Sequence, residues 1–291
     1  MTATLTVVQP TIEVPEPGLY PDVPADVYHR WAAASQTVLK IMRDRSPAHA
    51  RQYMLTPPEP TPAMVLGAAI HAAILQPDLF REHYVRGLEF DRRTKHGREA
   101  WEALAAEHPS AIILKPEDYD RCIAIRDAVH SHPYARKLLR GQTEVSAVWR
   151  DPWFGVLCKG RFDCVPTGLG VIADVKSVND ASPRAMQRFI YAYGTYLQAA
   201  HYMIGARSLG VEADYFVLIA VEKEPPYGIG IYNIRGDALM AGEEELAKLL
   251  RTWDECETAG QWPGYSELAI DITLPGWAFG QIETGLEADM A

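Results

Sequence analysis

The stretch GRFDCVPTGLGVIADVKS, residues 160–177, sets Asp163 and Asp174 on what read as adjacent strands, with Lys176 two positions after the second acid. Side chains alternate along a strand, so Asp174 and Lys176 share one face, and Arg161 and Asp163 share a face of the preceding strand. If the two faces open on one cleft, two carboxylates and an ammonium converge. Burying such groups costs on the order of several kcal/mol each unless they are paired or ligate a metal. Hard carboxylate oxygens suit Mg²⁺ or Mn²⁺. An exposed sheet face with an ordinary Lys–Asp salt bridge accounts for the same residues, so the stretch alone is ambiguous.

Three further elements bear on that choice. Gly67 and His71 lie four apart on one face of an apolar helix. A lone histidine there fits a packed core as well as a metal ligand. Gln198 and Tyr202 repeat the spacing of four on the helix after the sheet, where an ordinary amphipathic surface is the plain alternative. Glu144 opens the first strand of the β-rich region.

These residues need a scaffold. Residues 1–26 are Pro-rich and aperiodic, an extended lead-in to a single domain over 27–291. Residues 34–55 read as a helix capped at Ser35 and interrupted near Pro47; 56–62 is a stiff linker, and a helix from Ala63 stops near Pro77. A basic loop at 89–100 enters a helix near Gly97, and 116–130 and 133–140 are two more helices. The period then changes. Strands are expected at 144–150, 156–166 and 170–178, then one long helix over 183–208 with Ser182 as N-cap and Pro183 at its first position. The uniformly apolar 214–222 is a central strand, 227–234 pairs with it, and a helix covers 237–258. The expectation is an α/β (α+β) fold: a helical N-terminal half, then a mixed central sheet flanked by helices.

Taken in order, Gly67–His71, Glu144, Gly160–Asp163, Asp174–Lys176 and Gln198–Tyr202 resemble the signature of the RecB-type subgroup of the PD-(D/E)xK nuclease superfamily. The segments YHRWAAASQTVLKIMRDRSPAHA, LGAAIHAAILQPDLF, EFDRRTKHGREA and YLQAAHYMIGA are similar to those of the RecE-type (exonuclease VIII) nuclease domain. The similarity extends over roughly residues 20–280. One departure is Asp174, where many superfamily members have glutamate; either carboxylate can ligate a metal.

The resemblance implies a restriction-endonuclease-like core and a metal-dependent exonuclease, acting 5′→3′ on linear double-stranded DNA to expose 3′ single strands for recombination. It implies two Mg²⁺ or Mn²⁺ ions per site, with His71, Asp163, Asp174 and the Val175 carbonyl as ligands and Glu144 supporting the second ion or its water. Lys176 would stabilise developing charge, and Gln198 and Tyr202 would position the water or the scissile phosphate. Ser35 at a helix N-terminus would help hold the DNA 5′ end. Arg92, Arg93, Lys95 and Arg98 would grip the DNA backbone, with Arg43, Arg45 and Arg51 forming a second basic cluster and Arg136, Lys137 and Arg140 a third. Charge runs of this kind are also commonly solvated faces. The implied partners are DNA ends, further copies in a ring-like homo-oligomer such as a tetramer, and a RecT-like single-strand annealing recombinase. A nuclease of other polarity or endonucleolytic habit, and a silent DNA-binding module, are the alternatives.

Composition sets the outer bounds. The 291 residues are 48% hydrophobic and 23% charged, as in globular proteins that bury a sizeable core. The net charge of −10 argues against a wholly basic nucleic-acid binder, but a local basic groove can coexist with an acidic body. Cys122, Cys158, Cys164 and Cys256 lie far apart, so reduced thiols are expected and no iron–sulfur cluster. The apolar run Ala63–Leu75 is too short to span a bilayer, and the N-terminus has no basic, long-apolar leader; a cytoplasmic protein with no membrane partner is expected.

Overall fold

The computed structural model describes residues 12–90 and 93–279. The N-terminal half is helical with short strands: β1 (Gly18–Tyr20), α1 (Ala25–Arg30), β2 (Ala34–Ser35), α2 (Gln36–Asp44), α3 (Pro47–Leu55), α4 (Pro62–Leu75), α5 (Pro77–His83), β3 (Tyr84–Arg86), α6 (Lys95–Glu107), β4 (Ile112–Leu114), α7 (Pro116–Ser131) and α8 (Pro133–Leu138). Prolines start α3, α4, α5, α7 and α8, where a missing N–H costs nothing, and Ser46 and Thr61 cap the orphan amides of His49 and Met64. The second half supplies β5 (Gly141–Arg150), β6 (Leu157–Pro166), β7 (Val171–Val178), α9 (Pro183–Ala192), α10 (Thr195–Ser208), β8 (Tyr215–Glu222), β9 (Ile229–Ile234) and α11 (Asp237–Ala259).

The main sheet runs in the order β1-β5-β6-β7-β8-β9 and is mixed: β7 and β8 are parallel, while β5–β6, β6–β7 and β8–β9 are antiparallel. Both its faces are buried. One core packs α2, α10 and α11 on Trp149, Phe162, Ile172 and Phe216; the other packs α4, α7 and α8 on Cys164, Ala173, Val175 and Val217. The near-continuous apolar run of β8 reflects this two-sided burial. The sheet forks at its centre. β6 meets β7 at Cys164–Ala173, while the other end of β6 pairs in parallel with β2, at Ala34–Cys158 and Ser35–Lys159.

Three sequence expectations change. The lead-in is not merely extended chain: β1 lies antiparallel to β5, Gly18 opposite Val148. Lys159 donates from β6 to the carbonyls of Tyr28, His29 and Trp31 at 2.9, 3.1 and 2.7 Å, closing the C-terminal end of α1. The helix expected to begin near Gly97 starts two residues earlier, because Thr94 caps the Gly97 amide at 3.0 Å. The long helix over 183–208 is two helices, broken at Gly194, whose φ of 58° lies in the left-handed region. A Cβ there would also stand 2.5 Å from the Arg43 guanidinium.

Left-handed backbone costs a non-glycine residue about 1–2 kcal/mol. Gly194→Ala should therefore lower stability by about that amount, read as a Tm fall of several °C by thermal denaturation. An unchanged Tm would mean that the α9–α10 break does not need this glycine.

Candidate metal centre

The site lies in the fork of the sheet. Past Cys164–Ala173 the ladder between β6 and β7 gives way, and the Asp163 carboxylate accepts the Val175 backbone N–H at 2.8 Å. Alternation along β6 breaks here as well: Phe162 and Cys164, two apart, pack in opposite cores. Across the β5–β6 ladder, Thr143–Cys164 and Val145–Phe162 are paired, which leaves Glu144 opposite Asp163. Glu144 has φ 53°, a strained conformation for a non-glycine residue that the paired strands on either side hold in place.

The result is a cluster. Ligand atoms of His71, Glu144 and Asp163 all lie within 4.8 Å of one another, with His71 Nδ1 3.6 Å from Asp163 Oδ2. His71 comes from α4, which packs against β7, and the Gly67 one turn earlier has no atom within 4 Å of where a Cβ would sit, leaving that space open. Asp174 and Lys176 do share a face of β7, 2.5 Å apart from Oδ2 to Nζ. Gln198 of α10 donates to Asp174 Oδ1 at 2.6 Å. The Val175 amide is held by Asp163 as described, which fixes the peptide beside the cluster.

Burial, then the Asp174 and Glu144 carboxylates, push Asp163 well above the usual carboxylate range, against an opposing pull from Lys176. Glu144 rises mainly from burial, against Arg161, whose Nε lies 3.8 Å from Glu144 Oε2. His71 is pushed down to about 4 by burial and then by Lys176, so it is neutral at neutral pH with a free lone pair. Burial pulls the Lys176 ammonium down, but Asp174, Asp163 and Glu144 outweigh it and the net shift is upward. Lys176 is thus a cation, not a base, at neutral pH.

A hard divalent cation fits these groups. A neutral imidazole and clustered carboxylates are the donors Mg²⁺ or Mn²⁺ takes, and a cation relieves the crowding of negative charge that raises Asp163 and Glu144. Gln198 Oε1 is buried without a hydrogen-bond partner, while Asp174 Oδ2 is held by the Lys176 ammonium at 2.5 Å. An unsatisfied buried acceptor beside the cluster suits a cation or a water it carries.

The other expected residues sort into scaffold and surface. Tyr202 is buried. Its ring lies where a Cβ on Gly160 would come within 3.0 Å, and its hydroxyl accepts the Arg161 N–H at 3.5 Å. The glycine and tyrosine of two separate motifs therefore pack on each other. Ser35 is buried, and its hydroxyl caps the Val38 amide at 3.4 Å. Arg43 is held by Asp44 at 2.6 Å, by the Tyr196 hydroxyl at 3.4 Å and near Glu245. Arg51 lies over the Trp262 ring. Lys95 pairs with Glu99, and Arg98 donates to the Arg93 carbonyl. Arg45, Arg136, Lys137 and Arg140 are at or near the surface, and Arg92 lies outside the described residues.

Sequence reading missed Lys40. It sits half-buried on α2, and burial followed by the Lys176 charge pushes it down to about 7, with Asp174 pulling the other way. Its one visible signal was a lysine between Leu39 and Ile41, five residues after the Ser35 cap.

A carboxyl raised by folding contributes stability below its unfolded pKa and loses it as pH rises through the folded value. In the metal-free protein the Asp163 contribution should therefore be lost as pH rises, and Asp163→Asn, which keeps an acceptor for Val175, should remove that part of the pH dependence, read as the difference between the two Tm-against-pH curves. Asp163→Asn should also remove the Tm rise that Mn²⁺ produces in the parent, measured by thermal shift in EDTA and in Mn²⁺. An undiminished Mn²⁺ shift would take Asp163 out of the metal site.

Residues 35–272 match the family described as a PDDEXK-like domain of unknown function (DUF3799). No curated protein matches this sequence. A crystal structure of a protein from Eubacterium rectale, provisionally described as an exonuclease, is similar in fold, with a TM-score of 0.57 at 14% identity over 87% of this chain and 96% of that one. A second solved structure, SSO0001, gives a TM-score of 0.29 at 15% identity over 65% of this chain and 90% of its own. The forked mixed sheet, the acids and lysine at its centre and the match over most of the length agree: this chain belongs to the PDDEXK-like DUF3799 family.

Proposed function

We propose that the protein is a divalent-metal-dependent deoxyribonuclease that degrades linear double-stranded DNA from its ends, 5′→3′, leaving 3′ single strands for recombination. The observation that carries the reading is the convergence of His71, Glu144 and Asp163 within 4.8 Å, beside the Asp174–Lys176 pair. A phosphodiester resists hydrolysis because its own charge repels nucleophiles. When bound, a divalent ion supplies charge neutralisation and a more acidic water. His71, Glu144, Asp163 and Asp174 would hold it.

The remaining steps belong to the chain. Lys176, cationic and anchored 2.5 Å from Asp174, stabilises the charge that develops on the phosphate oxygens and orients the attacking water. Gln198 holds Asp174 from the side opposite Lys176 and keeps its carboxylate in one orientation. Lys40, pushed down to about 7, adds a second amine within electrostatic reach of Asp174 that is only partly charged at neutral pH. Exonuclease action and polarity are supported by the resemblance to RecE-type nucleases, and exonuclease action also by the description of the Eubacterium rectale protein. A ring-like oligomer, a RecT-like recombinase partner and a cytoplasmic setting rest on that resemblance too. No helix among the described residues is long and apolar enough to cross a membrane.

The test uses 5′-labelled and 3′-labelled linear duplexes and a closed circle, in Mg²⁺, Mn²⁺, Ca²⁺ or EDTA. Release of 5′ label first, only with Mg²⁺ or Mn²⁺ and with the circle intact, is expected. Cutting of the circle would replace the exonuclease reading with an endonuclease, and 3′ release first would reverse the polarity. No metal-dependent degradation of any substrate would leave a silent binding module. Lys176→Gln, which keeps a donor for Asp174, should lower the cleavage rate by about 10²–10³-fold while keeping the Mn²⁺-induced Tm rise.

A further inference from the structure

Helix α9 joins the strand bearing Asp174 and Lys176 to the helix bearing Gln198. Its inner side is spent on packing: Met186, Phe189 and Ile190 cover Val178, Leu218 and Ala220. Its outer side carries Arg184, Arg188 and Tyr191, spaced four and then three apart, so they line one face, and all three are exposed. Neither arginine has an acidic partner among the described residues. Arg86, Arg121, Arg126 and Arg207 pair with Asp120, Asp118, Asp127 and Glu243, whereas Arg45, Arg136, Lys137 and Arg140 share the unpaired state of Arg184 and Arg188 among the described residues. On a chain of net charge −10 two unneutralised guanidiniums in a row can take an anion, and what separates this row from the other basic clusters is the aromatic rings beside it.

Aromatic rings stand at the end of the helix, Tyr191 in line with the arginines and Tyr193 round from it at the C-cap. Tyr191 is 75% exposed and Tyr193 64% exposed. Neither ring is loose. Tyr191 stacks on Tyr196, 6.1 Å between centroids and 11° between planes, and Tyr196 is itself fixed by Arg43 and Glu245. Tyr193 leans on Phe189, 4.5 Å away. Each tyrosine is thus backed by another ring, which holds it in place while it remains exposed. Tyr196 stands two residues before Gln198, so the row ends within one helical turn of the residue that holds Asp174.

Guanidiniums spaced for phosphates, followed by pre-oriented aromatic faces, are the chemistry of single-stranded nucleic-acid binding. A duplex hides its base faces in the stack and cannot use the tyrosines; an unpaired strand can. We propose that Arg184, Arg188, Tyr191 and Tyr193 form a stacking platform for unpaired DNA leading to the catalytic cleft. The platform takes DNA as its ligand from the nuclease reading above.

The experiment measures binding of a fluorescein-labelled 20-nucleotide oligo(dT) and of a blunt duplex to the full chain in Ca²⁺, across a salt series. Tyr191→Ala/Tyr193→Ala should weaken oligo(dT) binding at least about 10-fold and duplex binding less than about 2-fold. The Phe pair, which keeps the rings, should bind like the parent. Arg184→Gln/Arg188→Gln should reduce the slope of log affinity against log salt by about 1.4, the share of two phosphates. All four residues are exposed on α9 and at its end, so the variants should fold. Parental oligo(dT) affinity in the Ala pair would overturn the platform, as would an equal loss in the Phe pair or an equal loss on duplex; a protein-docking face would give the first of these. Cleavage of the labelled duplex is measured in parallel. Absent cleavage by the parent with stripe-dependent oligo(dT) binding sinks the nuclease reading and supports the platform. Metal-dependent cleavage with unchanged oligo(dT) binding in the Ala pair sinks the platform alone.

Discussion

A β-sheet holds its strands together by backbone hydrogen bonds, and here the central ladder is interrupted on purpose by a side chain. Asp163 accepts the Val175 N–H at 2.8 Å, taking the place of a strand partner, and the fork between β6 and β7 depends on it. Without that acceptor, the amide would be buried and unsatisfied, at a cost of about 1–3 kcal/mol. The same carboxylate faces His71 and Glu144. One group therefore closes the backbone accounts of the fork and supplies the charge that the fork exists to expose.

Other features follow from keeping the fork open. β2 occupies the edge of β6 that β7 leaves, so Ser35 is buried and α2 begins beside the site with Lys40 on its second turn. α10 closes the cleft from one side with Gln198 and α4 from the other with His71, and the two cores lie on opposite faces of the sheet. The strain at Glu144 has the same origin. A regular strand would carry its carboxylate by simple alternation, whereas a left-handed residue between two paired neighbours can turn it toward Asp163 and His71 without shifting the register.

Much of this was legible in the residues. Strands and helices followed from apolar period and from Pro, Ser and Thr at helix starts, because those signals are local. The cluster was legible because its members are of chemically rare types for a core and recur at spacings that only a particular topology unites. What was not legible is non-local. The break at Gly194 reads as an ordinary helical glycine until α2 brings Arg43 against it. Arg43 reads as a DNA contact until α11 brings Glu245 near it. Lys40 shows in the sequence only as a lysine between two apolar residues, since its proximity to Asp174 arises from β2 pairing with β6. β1 was too short and too Pro-flanked to show a strand period.

The contact between Gly160 and Tyr202 separates two kinds of inheritance within one signature. Any side chain on residue 160 collides with the tyrosine ring, and a smaller residue at 202 leaves a hole beside Trp149 and Phe162. Selection for folding alone would preserve that couple. Asp163 answers to folding as well, through the Val175 amide. Under the proposed function, selection for catalysis is what would preserve Asp174, Lys176 and Glu144, whose burial in a metal-free chain is unfavourable. A descendant that had abandoned chemistry would still carry the glycine, the tyrosine and Asp163, so those letters date the fold, and Glu144, Asp174 and Lys176 would be the first to drift.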